Sequence, residues 1–225
     1  MTDSVRILAI RHGETDWNAD GRLQGQIDIS LNASGIQQAK LLAQSFAGSD
    51  IDAVYSSDLQ RASQTAEILA HGLSRNVLLC KNFRERHFGY FQGLTFKQIE
   101  ERAPHDALRW RQRDPDFVPG GEDGDGESLA AFSARVLKAV DEVAANHLGQ
   151  KIAIVTHGGV LDAIYRAAAH LDIQAPRTWT LGNTCVSRLI WSSDGGLNLV
   201  SWADTSHLDC AGQEEISRIE PNAEF

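Results

Sequence analysis

Two near-continuous apolar runs constrain this chain more than anything else in it: VRILAI at residues 5 to 10 and IAIVT at 152 to 156, each followed within a residue or so by His-Gly. A run apolar on nearly every residue, rather than on alternate ones, suits a strand covered on both faces, as in a parallel sheet between layers of helices. Short β-branched runs at 51 to 55 (IDAVY), 77 to 79 (VLL) and 186 to 191 (VSRLIW) supply further strands. Between them the pattern changes to the helical period. Ile36, Ala39, Ala43 and Phe46 share one face, as do Leu129, Phe132, Val136, Val140 and Val143, and residues 60 to 73 and 160 to 171 also read as helices. The expected fold is a three-layer α/β/α sandwich around a mostly parallel sheet.

Sites in such sheets lie beyond the carboxyl ends of the strands. Two strands that each lead into His-Gly therefore bring both imidazoles to one edge. The first delivers Arg11-His12-Gly13-Glu14-Thr15, with Trp17 and Asn18 just after, and the second delivers His157-Gly158-Gly159. An imidazole beside a fixed guanidinium is a candidate nucleophile next to a cation. A third element, Ser56 to Arg61, follows IDAVY and opens a helix, with Asp58 or Ser57 as the expected N-cap and Arg61 as a second guanidinium for a dianion. The fourth is Phe83-Arg84-Glu85-Arg86-His87-Phe88-Gly89. A carboxyl group among apolar neighbours and beside a bound anion holds its proton more readily, which makes Glu85 a candidate donor. Taken singly, these are a surface loop, a helix start and a surface ion pair of Glu85 with Arg84 or Arg86; only their convergence points to chemistry.

A length of 225 residues, with no repeat or linker in view, is read as one domain over 1–225. The stretch at about 81–126, rich in Arg, Gly, Pro and Asp, is expected to be an irregular excursion over the site. With 30 acidic against 21 basic residues and a net charge of -9, neither nucleic acid nor an anionic membrane surface is an expected partner, so any anion must be captured by a local cluster. The opening MTDSVRILAI has neither a signal-peptide core nor a membrane span. Cys80, Cys185 and Cys210 are odd in number, widely spaced and without a CxxC pair, which argues against disulfides and zinc and for a reducing, cytoplasmic setting. Cys185 is read as inert core. HExxH, GxxxxGKS/T and GxSxG are all missing. Asp123-Gly124-Asp125-Gly126-Glu127 imitates the start of a calcium loop but lacks its later ligands, so 122–127 is read as an acidic insertion before a helix beginning near Glu127 or Ser128. No metal and no cofactor are expected.

In order and spacing, Arg11 to Thr15, Asp58 to Arg61, Glu85 to Gly89 and Thr156 to Gly158 resemble the histidine phosphatase, or phosphoglycerate mutase-like, superfamily over nearly the whole chain, from Arg6 to about His207. The resemblance implies a phosphohistidine reaction on a small phosphorylated substrate. His12 looks like the nucleophile, Arg11, Arg61 and His157 the holders of the nonbridging oxygens, and Glu85 the proton donor and later acceptor. Asn18, Gln24, Gly25 and Gly158 resemble the remaining pocket contacts, Arg86 is a further candidate substrate contact, and His87 and Arg113 are candidates to line the substrate mouth. The passage at 114 to 126 departs from the family's shorter Pro-Gly-Gly-Glu-Ser pattern.

The same resemblance leaves two activities open. Glu85 to Gly89 followed by Phe91-Gln92-Gly93-Leu94 looks like the cofactor-dependent phosphoglycerate mutases, which use 2,3-bisphosphoglycerate. Against them, Phe96 stands where those mutases have lysine, Trp110-Arg111-Gln112 where they have Trp-Arg-Arg, and Gly159 where they have asparagine, with Lys97 and Arg113 as possible one-residue substitutes. The ending Asp204-Thr205-Ser206-His207-Leu208 resembles the hydrolytic branch. The expectation is a phosphomonoesterase, with the mutase as alternative and a non-catalytic phosphate-binding scaffold as a lesser one. The oligomeric state, a homodimer included, is left open.

Overall fold

The computed structural model describes residues 4–120 and 124–209; Cys210, Glu122 and Asp123 lie outside them. Six strands, β1 (Ser4–Arg11), β2 (Ala53–Ser56), β3 (Val77–Leu79), β4 (Lys151–Thr156), β5 (Val186–Ser192) and β6 (Gly196–Asp204), form one sheet in the order β3-β2-β4-β1-β5-β6. The β3-β2, β2-β4 and β4-β1 pairings are parallel, whereas β5 and β6 join antiparallel. The helices are α1 (Asp16–Ala19), α2 (Ala33–Ser45), α3 (Gln60–Gly72), α4 (Phe96–Arg102), α5 (Pro104–Arg111), α6 (Leu129–Ala145), α7 (Gly158–Ala168) and α8 (Ser206–Asp209). No helix among the described residues is long and apolar enough to cross a membrane.

The alternation within β1 explains the layering. Val5, Ile7 and Ala9 join one core with Phe132, Val136 and Val140 of α6 and Val160, Leu161 and Ile164 of α7. Leu8 and Ile10 turn the other way, onto Leu42 of α2 and Ala62, Ala66 and Leu69 of α3. Both faces are covered, which is why β1 and β4 carry so few polar residues.

Four details differ from the sequence expectations. On α2 the buried positions are Gly35, Ala39 and Leu42, while Ile36 is exposed, so the true apolar face is rotated by about one residue. Neither Ser57 nor Asp58 caps α3. Its N-cap is Leu59, Asp58 is spent on a two-pronged pair with Arg84 (2.6 and 2.7 Å), and the Gln60 N–H is accepted instead by Asp28 at 2.7 Å, from a distant loop. The stretch 81–126 is less irregular than expected: it holds α4, α5 and a small core of its own made of Phe88, Phe91, Ile99, Ala107 and Phe117. Finally, β6 has no counterpart among the strands expected from the sequence, because as an edge strand it buries only Leu197 and leaves Leu199 and Val200 exposed.

Candidate active site

Arg11 and Thr156, the last residues of β1 and β4, are register partners. His12 and His157 therefore leave the sheet side by side, and the His12 N–H is accepted by the Thr156 carbonyl at 2.9 Å. Their ring centroids are 5.2 Å apart at an interplanar angle of 58°. His12 is 3% exposed and His157 fully buried.

Their hydrogen bonds fix complementary tautomers. His12 Nδ1 lies 2.7 Å from the Gly13 carbonyl, which can only accept, so Nδ1 carries the proton and the neutral ring keeps its lone pair on Nε2. In His157 the roles reverse: Nδ1 accepts from Arg61 Nε at 3.2 Å, which leaves the proton on Nε2. Among the described residues that buried Nε2 has no partner, and neither does Arg11 Nε. Unpaired buried donors cost free energy until an acceptor arrives, and here two of them belong to one site. Burial, then the charges of Arg61 and Arg11, hold His12 well below the ordinary histidine value; burial, Arg61, His12 and Arg11 do the same to His157. Both rings are neutral at pH 7.

The surrounding backbone holds this arrangement still. The Gly13 N–H is accepted by Thr65 of α3 at 3.0 Å, and the His12 carbonyl accepts from the Asn183 side chain at 3.1 Å and the Thr184 N–H at 3.3 Å. Thr184 adopts a φ of 53° to do so, a strained conformation for a β-branched residue. Arg61 is 1% exposed and anchored through its terminal nitrogens to the Gly25 (2.7 Å) and Ile27 (3.0 Å) carbonyls, while burial lowers its pKa to about 10. Glu85 stands across from α7, its two oxygens accepting the Arg86 N–H at 2.8 Å and the Gly159 N–H at 2.9 Å.

These groups open onto a cavity of about 900 Å³, whose lining includes Arg11, His12, Asn18, Gln24, Gly25, Arg61, Glu85, Arg86 and Gly158. His157 lies behind them, against the His12 ring. His87 is not part of the wall, contrary to expectation. Its Nδ1 accepts the Gly89 N–H at 3.2 Å and its Nε2 sits 3.3 Å from Gln92 Nε2, so its ring is used to shape the excursion. Lys97 is also absent from the wall: its side chain is 85% exposed beside Glu101. Arg113 does line the cavity, through a loop with φ of 54° at that residue. Arg22, Asp162, Gln174 and Arg177 line it as well and carried no motif in the sequence; Asn183-Thr184 announced itself only as a turn-forming string after Gly182. Cys185 is fully buried, with its thiol pushed up to about 11 by that burial. The Glu127 carboxylate of the calcium-like string is gripped by both prongs of Arg135, at 2.7 Å each.

A family model for the histidine phosphatase superfamily (branch 1) matches residues 7–205. The chain belongs to that superfamily. A metal-independent phosphoserine phosphatase of Arabidopsis thaliana is 38% identical over 215 residues, covering 94% of this chain and 86% of the relative. Phosphoglycerate mutase-like protein 4 of Arabidopsis thaliana is 36% identical over 214 residues, covering 93% and 90%. Among solved structures, a phosphoserine phosphatase of Entamoeba histolytica in complex with phosphoserine superposes with a TM-score of 0.79 at 29% identity, over 91% of this chain and 99% of that one. Of the motif residues, Arg11, His12, Arg61, Glu85 and Gly158 line the cavity, whereas Asp58 and His87 do not.

Proposed function

We propose that this chain is a metal-independent phosphatase that hydrolyses a small phosphomonoester through a phosphohistidine on His12. His12 Nε2 attacks phosphorus and the bond to the leaving oxygen breaks, with Glu85 supplying the proton that oxygen needs. Water then attacks the phosphohistidine, Glu85 takes the proton back, and inorganic phosphate leaves with His12 restored. The transferring phosphoryl group spreads charge over three oxygens, and Arg11, Arg61 and His157 offer donors to them. One observation carries this reading: His12 holds a free lone pair on Nε2 while the neighbouring His157 Nε2 and Arg11 Nε are buried donors with no acceptor among the described residues. The names of the relatives support a phosphorylated substrate of the phosphoserine kind, and the free, partly or fully buried thiols of Cys80 and Cys185 suit the cytoplasm.

An aryl phosphate incubated with the protein and a chelator should release inorganic phosphate, and acid-labile phosphoenzyme should be trapped in the parent but not in His12→Ala. Glu85→Gln should slow esters with poor leaving groups most, since good ones need little protonation. The mutase reading keeps the support of the mutase-like relative. Interconversion of 2- and 3-phosphoglycerate that depends on 2,3-bisphosphoglycerate, without net phosphate release, would select it. No turnover across a panel of phosphorylated metabolites would leave the scaffold.

A further inference from the structure

The Glu85 carboxyl group has to meet a leaving oxygen, yet it stands on a segment that is neither helix nor strand, between the short turns Lys81–Phe83 and Gly89–Phe91. No regular backbone ladder holds such a segment, so side chains must satisfy its carbonyls. Arg135, in the second turn of α6, supplies three of those contacts. Its guanidinium donates to the carbonyls of Asn82 at 2.8 Å, Arg84 at 3.2 Å and Glu85 at 3.5 Å. The same group is gripped by both oxygens of Glu127 at 2.7 Å each, a planar fork that lysine cannot reproduce. Glu127 in turn ties back to the segment. Its N–H is accepted by the His87 carbonyl at 2.9 Å, its carboxylate accepts the His87 N–H at 3.3 Å, and its carbonyl accepts from Arg86 Nε at 2.8 Å. The two side chains are only 20% and 22% exposed, so solvent and salt screen the pair less than an ordinary surface bridge. In the sequence Glu127 closes the calcium-like string and Arg135 belongs to no motif.

We infer that Arg135, locked by Glu127, is the positioning residue that aims the Glu85 carboxyl group, so that these two side chains set the efficiency of proton transfer without touching substrate. This rests on the phosphatase reading for what Glu85 does, and adds how Glu85 is held there. Neither Arg135 nor Glu127 lines the cavity, so their effect on the reaction passes through the groups they hold. Two other roles would leave different traces. A brace that only fastened the start of α6 would matter equally for every ester. A charge acting on His157 would matter at the phosphoryl end, but burial, Arg61, His12 and Arg11 all weigh more on that ring than Arg135 does.

Four variants of the full chain separate these roles: Arg135→Met, which keeps an apolar stem beside Phe132, Glu127→Gln, Glu85→Gln, and Arg135→Met combined with Glu85→Gln. In Arg135→Met, kcat for phosphoserine should fall about tenfold or more, while its KM and the turnover of 4-nitrophenyl phosphate change about twofold or less, because only the poor leaving group needs its proton. Glu127→Gln is the milder change and keeps the test open if loss of Arg135 unfolds the chain; it should shift the same ratio by about threefold. On the Glu85→Gln background Arg135→Met should cost nothing further, since the group it aims is already gone. A readout free of turnover is the Gly159 amide, which donates to Glu85 at 2.9 Å. Its resonance in a proton–nitrogen correlation spectrum should move in Arg135→Met and Glu127→Gln, while that of Gly13, held by Thr65, stays in place. Equal losses on both esters, a further loss on the Glu85→Gln background, or an unmoved Gly159 amide would overturn the positioning role. A displaced Gly159 amide in a chain that hydrolyses neither ester would sink the phosphatase reading and leave the positioning role standing; hydrolysis of both esters with that amide unmoved would do the reverse.

Discussion

Gly159 carries no side chain because Glu85 occupies the space. A Cβ built there would lie 2.2 Å from Glu85 Oε1 and 3.0 Å from its Cδ, so any larger residue displaces the carboxyl group from the site where it would serve as proton donor. Gly159→Ala should therefore lower kcat/KM about tenfold or more for alkyl phosphates and much less for aryl phosphates, because general acid catalysis matters in proportion to leaving-group basicity. A loss equal on both substrate types would show that the substitution damages the phosphoryl cradle instead. Gly13 is tight for a different reason: a Cβ there would meet the Gly35 carbonyl oxygen at 2.6 Å, a backbone atom that cannot swing away. Gly13→Ala should cost about 1–3 kcal/mol of stability, read from chemical denaturation, by pushing the His12 turn off α2. The two imidazoles and their glycines were legible from the sequence because each stands beside a strand that could only be central. Arg177 was not, since a lone arginine in a loop carries no period, and its meaning depends on Asp162, a residue distant in sequence that only the fold brings beside it.

At the scale of elements, the sheet and the excursion are separate packing problems. Five of the sheet's six strands and its four long helices are legible from their apolar and β-branched runs, and β1 and β4 start and end within a residue of those runs, whereas the edge strand β6 carries no such pattern. Helices α4 and α5 span only Phe96–Arg102 and Pro104–Arg111, too short for propensity to sustain them. They depend on the cluster of Phe88, Phe91, Ile99, Ala107 and Phe117, reinforced by the edge-on contact of Phe91 with Trp110 at 5.6 Å. Such a cluster is assembled from residues with no common period, and so the sequence showed only a loop. Phe91 is fully buried at its centre. Phe91→Ala should cost about 3–5 kcal/mol locally, and the excursion should loosen before the sheet does. Hydrogen exchange should quicken at residues 88 to 117 while β1 and β4 stay protected, and KM should rise more than kcat falls because the excursion supplies the outer wall and not His12. Uniform exchange across both regions would mean that the two cores unfold as one.

The whole molecule inherits a pH sensitivity from its buried histidines. His12 and His157 stay neutral in the folded chain well below the ordinary value of 6.5, whereas in the unfolded chain they take up protons near it. Above that pH both states are neutral at these positions and nothing is gained or lost. Below it the unfolded state binds more protons than the folded one, so stability falls as the solution is acidified, by up to about 1.4 kcal/mol per pH unit for each ring. His207, shifted the same way by burial, adds to the slope. Paired carboxylates act in a separate, more acidic window: Asp58, held down by Arg84, and Asp204, lowered to about 2 by its bonds to Ser206 and Arg188, lose their contribution only below the ordinary carboxylate range. Unfolding free energies from urea titrations between pH 7.5 and 5.5 should thus be flat in the upper part and fall steeply below about 6.5. The buffer must be free of phosphate, since an anion bound between the arginines would stabilise the folded state and mask the trend. His12→Gln removes one ring and should flatten the acid slope by roughly the share of one proton. A parent slope of zero between pH 6.5 and 5.5 would mean that the two rings charge in place, and that Arg11 and Arg61 do not hold them neutral for nucleophilic work.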